Sequence, residues 1–155
     1  MPSRRNNIAL TDEERDQYLE DGWTLQIASI GPGGFPHLVA MWYVLDEQGR
    51  IMFTTFRKSQ KVMNLQRNPK MTVMLESGKA YNELKGLVIE GEVELLDDPE
   101  YTAKVMAMVS AKYNGIPAPT GPSEAGLKVA SKRVVVRLKP VEVYSWDHAK
   151  LGGVY

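Results

Sequence analysis

The stretch of the sequence most suggestive of chemistry is FTTFRKSQK, residues 53–61. Apolar and β-branched residues end there, and a cluster of three cations and one hydroxyl follows, namely Arg57, Lys58, Ser59 and Lys61. Cations beside a hydroxyl, at the point where a strand gives way to a helix, are typical of a site for an anion such as phosphate.

The segment after Ser59, QKVMNLQRN, has the apolar spacing of a short helix that stops before Pro69. The first turn of a helix has unpaired N–H groups and carries about half a positive charge, so lysine and arginine are unfavourable there unless an anion is bound. We therefore expect a phosphate among these cations, with a strand-end hydroxyl of Thr54 or Thr55 facing it. The alternative is a solvated basic surface, because short basic clusters are common in unrelated chains.

Other reactive groups are sparse. The chain has no cysteine and two histidines, which excludes a thiol nucleophile and argues against a zinc site. His37 and His148 have no acidic partner fixed by spacing, so proton transfer is not indicated for either. Glu90, Glu92 and Glu94 recur every second residue, a pattern more typical of a solvated sheet face than of a metal site.

Most of the chain reads as strands. We predict strands over residues 23–30, 37–46, 51–56, 71–77, 87–97 and 132–147, the first three as an antiparallel meander. Gly91 and Pro140 predict irregularities in the last two strands. Helices are predicted from Thr11, which has Glu14 at capping-box distance, and from Asp98, which is followed by proline. Residues 116–126 are rich in proline and glycine and predict a loop.

The pattern predicts a mainly β protein with peripheral helices, in one domain over residues 1–155. Six strands at short spacing favour a small antiparallel β-barrel of the split type. The parallel βαβ alternative is weak, because helix-length inserts are missing between the first three strands. The 19 basic and 19 acidic residues give no net charge, which argues against nucleic acid as a partner. No segment has the length of a signal peptide or membrane span, so we expect a cytoplasmic protein.

Three blocks of the sequence carry a likeness to a known family. They are PHLVAMWYV, FTTFRKSQKVMNLQRNP and GLVIEGEVELLDDP, and the terminal YSWDHAKLGGVY extends them. Together they resemble the split β-barrel flavin and deazaflavin oxidoreductases, which are relatives of pyridoxamine 5'-phosphate oxidase. The likeness is closer to the actinobacterial branch that uses the deazaflavin coenzyme F420, and it runs from about Leu10 to Tyr155.

The resemblance implies a homodimer with two cofactor sites at the subunit interface. It implies that the cofactor phosphate is held by Thr54, Thr55, Arg57, Lys58, Ser59 and Lys61. It places the second strand beside the tricyclic ring, which nominates His37, Val39 and Met41. It also implies that the partner subunit covers the ring, with Tyr81, Trp146 and Lys150 as candidates.

The resulting hypothesis is an enzyme that passes a hydride from reduced F420 to an unsaturated organic substrate. The cofactor would carry this chemistry, which suits a chain without an evident nucleophile. One alternative is the same fold with FMN, acting as a flavin reductase or oxidase, because the basic cluster suits either phosphate. A second is a non-catalytic carrier of F420. A haem or nucleic-acid module fits least, since the net charge is zero and no axial-ligand arrangement is evident.

Overall fold

A computed structural model describes residues 4–153, so Val154 and Tyr155 of the family-like C-terminal segment lie outside the described residues. Seven strands form one antiparallel sheet: β1 (Leu25–Ile30), β2 (Pro36–Met41), β3 (Val44–Leu45), β4 (Ile51–Phe56), β5 (Lys70–Ser77), β6 (Lys85–Leu96) and β7 (Arg133–Asp147). Five α-helices surround it: α1 (Arg4–Ile8), α2 (Asp12–Asp21), α3 (Gln60–Arg67), α4 (Pro99–Asn114) and α5 (Glu124–Ala130). Short 3₁₀ turns cover Tyr81–Glu83 and His148–Leu151.

The sheet curls into a half-barrel, which confirms the predicted split-barrel fold class. Its strand order is β2-β1-β5-β6-β7-β4-β3. The two outer strands, β2 and β3, are therefore joined by only Trp42 and Tyr43. The predicted count of six strands is corrected to seven, because the predicted second strand breaks at these two residues. Its halves pair with different neighbours, β2 with β1 and β3 with β4, so the predicted meander is interrupted.

The main core fills the inside of the curl. Leu25, Ile27, Tyr43 and Phe53 are fully buried there, and Leu65 of α3 packs against them. A second, smaller cluster lies on the other face of the sheet under α4, where Val105 packs with Val44, Met52 and Val135. The strand β4 thus has one face toward the main core and the other toward α4. This division matters for the site, because β4 carries the predicted threonines.

The predicted irregularity lies between β6 and β7. Glu90 pairs with Glu142 and Gly91 pairs with Pro140, which leaves Val141 as the extra residue of a bulge. A Cβ on Gly91 would lie 2.2 Å from the carbonyl oxygen of Lys139, so the close approach of the two strands requires glycine here. Pro140 lies beside this bulge, which is one of the places in a sheet where proline is found.

The helix ends follow the predicted capping chemistry. Thr11 and Glu14 form a complete capping box at the start of α2, and Asp98 accepts hydrogen bonds from the first turn of α4. The short helices α1 and α5 were not predicted. The N-cap of α5, Ser123, lies within the segment predicted as a loop. None of the helices in residues 4–153 is long and apolar enough to cross a bilayer.

Candidate cofactor-binding site

The junction between β4 and α3 forms as the sequence predicts. Strand β4 ends at Phe56, the chain turns, and Ser59 caps α3 with φ −69° and ψ 154°. The hydroxyl of Ser59 accepts a hydrogen bond from the backbone N–H of Val62 at 3.4 Å. Val62 and Leu65 are buried, which fixes α3 against the barrel and leaves its first turn beside the end of β4.

Lys61 reaches back from α3 to the end of β4. Its Nζ donates to Oγ1 of Thr55 at 2.8 Å, and Thr55 in turn donates to the hydroxyl of Ser59 at 3.4 Å. Thr55 is only 3% exposed. The pKa of Lys61 is lowered, first by its burial and then by the nearby charge of Arg133. The ammonium therefore lies half-buried with a neutral hydroxyl as its hydrogen-bond partner.

The surroundings of Lys61 are positive. Lys58 is exposed and Arg133 is half-buried. Within residues 4–153, no carboxylate lies at ion-pair distance from Lys58, Lys61 or Arg133. A half-buried ammonium without a counter-ion is costly in a folded chain. We name Thr55, Lys58, Ser59 and Lys61 the cationic corner, and its chemistry suits an anionic ligand.

Arg57, the third predicted cation, points elsewhere. Its guanidinium forms a bidentate ion pair with Asp97, in which Nη2 lies 2.6 Å from Oδ1. The same Nη2 donates to the carbonyl oxygen of Ser131 at 3.1 Å. Arg57 therefore ties the end of β4 to the segments that precede α4 and β7. It lies outside the cationic corner in this structure.

Thr54 lies on the opposite face of β4 from Thr55, because successive strand side chains alternate. It borders a groove of about 520 Å³ that opens between the β2–β4 region and α4. The groove is lined by Thr24, Ala40, Met41, Trp42, Thr54, Met106, Val109, Ser110, Asn114 and Arg133. Thr54 and Thr55 thus face different surfaces, the groove and the cationic corner respectively.

Arg133 was missed by sequence reasoning. It begins β7, opposite Phe56, and its guanidinium lies 4.1 Å above the Phe56 ring. Its Nε is buried without a hydrogen-bond partner, which is rare for such a donor and points to an absent acceptor. The only sequence signal was a cation at the start of an apolar strand, KRVVV, far along the chain from the basic cluster.

The β2 residues share one half-buried face. Val39 and Met41 pack against the main core, and Met41 also borders the groove. His37 pairs across the sheet with Ser29, and its Nδ1 is buried without a partner. Of the three predicted ring contacts, the structure brings only Met41 to the groove that contains Thr54.

Tyr81, Trp146 and Lys150 gather at the far end of β7. The ring of Tyr81 lies 4.6 Å from that of His148, and Nζ of Lys150 pairs with Glu14 at 2.5 Å. Trp146 packs directly over Gly86, where a Cβ would lie 2.0 Å from the indole. Trp146 also lines a second cavity of about 630 Å³, beside α1.

These two groups of predicted residues are far apart within one chain. Val134 pairs with Thr55 of the cationic corner, and Trp146 lies twelve positions further along the same continuous strand. At 3.3 Å per residue this is on the order of 40 Å of strand. Measured along the curled strand, the two groups of predicted residues thus mark different ends of β7.

A split barrel with a cationic corner beside a partly apolar groove is an arrangement expected of proteins that bind small molecules. The chain belongs to the pyridoxamine 5'-phosphate oxidase family, because the sequence profile of that family matches residues 11–147. This confirms the predicted family among the split-barrel flavin and deazaflavin proteins. No curated protein matches the chain.

Solved structures share the fold. The conserved hypothetical protein Rv2991 from Mycobacterium tuberculosis is 36% identical, with a TM-score of 0.88 over 97% of this chain and 93% of that one. An F420 reductase is 24% identical, with a TM-score of 0.64 over 83% and 94%. An FAD-binding protein from Mesorhizobium loti is 17% identical, with a TM-score of 0.64 over 88% and 93%. The last two likenesses show the fold alone.

Proposed function

We propose that this protein is an F420-dependent oxidoreductase that reduces an unsaturated organic substrate. The observation that carries the proposal is Lys61, a half-buried cation that is hydrogen-bonded to neutral Thr55 and has no carboxylate at ion-pair distance within residues 4–153. A bound phosphate would supply the missing negative charge. The fold shared with an F420 reductase supports this choice of cofactor.

Different residues of the chain would make different contacts with the cofactor phosphate. Lys58 and Lys61 supply positive charge to the phosphate, the hydroxyl of Ser59 supplies a hydrogen bond, and Thr55 holds Lys61 in place. Arg57 acts indirectly, by holding this junction through Asp97. When bound, the cofactor supplies a hydride, so the chain needs no nucleophile.

The ring of the cofactor would lie along β2 toward the groove. Met41 and Thr54, which both line the groove, are proposed to face it, with His37 and Val39 further along the same strand face as Met41. The buried, unpartnered Nδ1 of His37 supports this placement, because a ligand atom would satisfy it. The half-buried β2 face excludes water from one side of the ring.

We propose a homodimer in which each site combines two chains. The separation along β7 supports this, because Tyr81, Trp146 and Lys150 lie at the end of β7 away from the cationic corner. In a dimer, these residues of one chain would cover the ring held by the other. The small molecule and a second copy of the chain are thus the proposed partners.

Two fluorescence titrations of the purified protein test the proposal, one with F420 and one with FMN. We expect saturable micromolar binding of F420 and weaker binding of FMN. Lys61→Gln should weaken F420 at least about tenfold, since a charge-assisted hydrogen bond contributes about 1.5–3 kcal/mol. Lys104→Gln, a change at an exposed lysine on α4, is the matched control and should leave affinity unchanged.

Each other outcome has a definite meaning. Preferential binding of FMN would assign the protein to the flavin alternative, with oxygen reactivity as the next assay. Tight F420 binding without oxidation of reduced F420 by any acceptor would indicate a carrier. Binding of neither cofactor would refute the proposal.

A further inference from the structure

We propose that Asn64 positions the cationic corner, by holding α3 in one orientation through a buried hydrogen bond to Ser29 of β1. This role rests on the proposed function, because the group that α3 presents is the phosphate site. Asn64 is fully buried, so it touches no ligand itself and acts through the residues of the first turn of α3.

Asn64 is a polar residue on the face of α3 that packs against the barrel. Its neighbours on that face, Val62 and Leu65, are apolar and 1% and 2% exposed, while Asn64 is 0% exposed. A buried amide is tolerated only when it is hydrogen-bonded, and an apolar side chain of the same size would stabilise the fold without that requirement. The amide therefore indicates a role other than stability alone.

The hydrogen bonds of Asn64 connect α3 to β1. Its Nδ2 donates to Oγ of Ser29 at 3.1 Å, and Ser29 is 1% exposed. Its Oδ1 accepts from Nε2 of Gln60 at 2.8 Å and from Nη2 of Arg67 at 3.3 Å. The same Nη2 of Arg67 donates to the carbonyl oxygen of Ile30 at 2.7 Å. The helix is thus bonded to β1 at two successive residues.

A polar contact of this kind can fix a helix in a way that apolar contacts do not. Apolar burial is not directional, so by itself it allows a short helix to rotate or slide. In coiled coils, one buried asparagine fixes the register of the helices at a cost in stability. Because α3 has only eight residues, one bond near its middle orients both of its ends.

The orientation of α3 determines where its cations lie. Lys61 precedes Asn64 by three residues and lies one turn earlier on the helix. Its Nζ reaches across to Oγ1 of Thr55 on β4 at 2.8 Å, so α3 is held to β1 by Asn64 and to β4 by Lys61. Charged hydrogen bonds weaken steeply with distance and angle. A rotation of α3 would therefore move Lys61 and Ser59 away from the phosphate.

The test is a double variant that combines Asn64→Leu with Ser29→Ala. Replacement of both partners by apolar groups leaves neither of them unpaired, and Gln60 and Arg67 are exposed and can bond to water instead. We expect the melting temperature to stay within about 3 °C of that of the unaltered protein. Ser29→Ala alone should lower it further, because it leaves Nδ2 of Asn64 without an acceptor.

Two ligands distinguish positioning from folding: F420, and the same deazaflavin without its phosphate. In fluorescence titrations, the double variant should bind F420 about tenfold more weakly, as expected for the loss of one charged hydrogen bond. Its affinity for the phosphate-free compound should not change, whereas a general defect of the fold would weaken both. Thr102→Val, which removes a fully buried hydroxyl from α4, is the matched control and should leave both affinities unchanged.

Three results would overturn the role of Asn64: unchanged F420 affinity in the double variant, an equal loss for both ligands, or the same loss of F420 in Thr102→Val. If the unaltered protein binds FMN and not F420, the proposed function fails. FMN and riboflavin, its phosphate-free counterpart, then test Asn64 in the same way. Binding of neither cofactor would refute both proposals.

Discussion

Lys61 shows how a single side chain can indicate a ligand. Burial disfavours its charged form and the neighbouring Arg133 disfavours it further, so its pKa lies below the ordinary value of 10.5. The chain retains this unfavourable arrangement although Thr55 offers no charge in return. An anion that binds here gains both a hydrogen bond and relief of the repulsion between the two cations.

The lowered pKa of Lys61 predicts the pH dependence of cofactor binding. The lysine attracts phosphate only when protonated, so affinity should decline as pH rises through its lowered pKa. The decline should therefore begin at a lower pH than for an ordinary lysine. Dissociation constants measured from about pH 7 to about pH 10 check this, with Lys61→Arg as the control because arginine stays charged. A parallel decline in Lys61→Arg would contradict the assignment.

Arg57 is predicted to position the junction rather than to bind phosphate. Its ion pair with Asp97 raises the pKa of Arg57 and lowers that of Asp97, and both side chains are at least 36% exposed. We expect Asp97→Asn and Arg57→Gln each to lower the melting temperature by no more than about 3 °C, as exposed pairs stabilise weakly. Cofactor affinity should fall less than in Lys61→Gln. If Asp97→Asn instead strengthens cofactor binding, Arg57 is a phosphate ligand that Asp97 withholds.

Sequence reasoning succeeded at residues close together along the chain. Ser59 and Lys61 share one helical turn, and Thr55 precedes them by one short turn, so local geometry brings them together. Arg133 joins the same region only because β7 pairs with β4. Asp97 pairs with Arg57 for a similar reason. Asp97 follows β6, and sequence spacing does not reveal that this end of β6 lies near the end of β4.

At the scale of secondary-structure elements, Tyr43 marks the point where β2 and β3 separate to opposite edges of the sheet. It is fully buried between β2 and β3, and its hydroxyl donates to the carbonyl oxygen of Leu19. Leu19 lies in the last turn of α2, where carbonyl groups lack partners within the helix. Gly22 must be small beside it, since a Cβ there would lie 2.2 Å from the Tyr43 hydroxyl.

Tyr43→Phe should therefore destabilise the fold by about 1–3 kcal/mol, because a buried carbonyl loses its donor. Urea denaturation monitored by circular dichroism measures this loss. Tyr144→Phe is the matched control, since that tyrosine is 43% exposed. Equal stability of the two variants would show that the hydroxyl of Tyr43 is not required at the split.

The break at Trp42 and Tyr43 could not be predicted from the strand pattern. Residues 38–45 are apolar or aromatic throughout, and nothing local distinguishes a bend from a continuous strand. The bend depends on Leu19 and Tyr113, which lie on α2 and α4. By contrast, the bulge between β6 and β7 was predictable, because glycine and proline restrict the backbone locally.

Ion pairs also connect strands β6 and β7. Glu94 lies opposite Arg137 and contacts it at 2.6 Å, while Lys139 contacts its other oxygen at 2.7 Å. These hydrogen bonds, first from Lys139 and then from Arg137, lower the pKa of Glu94 from 4.5 to about 2. The folded state therefore holds the ionised form more strongly than the unfolded state does.

This shift predicts an acid-dependent loss of stability. The contribution of Glu94 is fully present above pH 4.5, the unfolded value, and disappears as pH falls to about 2. We expect Glu94→Gln to cost about 1–2 kcal/mol near neutral pH, since solvent screens a partly exposed pair. The cost should vanish in urea titrations toward about pH 2. Glu92→Gln, a change at an exposed neighbour on the same strand, is the matched control.

At the scale of the whole molecule, the order of the sheet separates the two halves of the proposed site. The long strand β7 carries Arg133 at one end and Trp146 at the other. We therefore propose that a functional site that uses both the cationic corner and Trp146 combines two chains. The sequence suggested this only through family likeness, because the length of β7 has meaning for the site only once its pairing with β4 is known.

A mixing experiment tests the two-chain site directly. Lys61→Gln and Trp146→Ala should each abolish tight cofactor binding in their own homodimers. A mixed dimer would contain one site with both changes and one site with neither. Random exchange of subunits should thus restore tight binding to about a quarter of all sites, because half of the dimers are mixed and each has one intact site.

Cofactor titration after unfolding and refolding the two variants together measures this fraction. Co-refolding each variant with more of itself is the control and should restore nothing. If each site belonged to a single chain, every chain in the mixture would still carry one defect and no tight sites would form. The two-chain site therefore predicts tight binding at about a quarter of the sites, and the one-chain site predicts none. One titration measures this fraction without knowledge of the substrate.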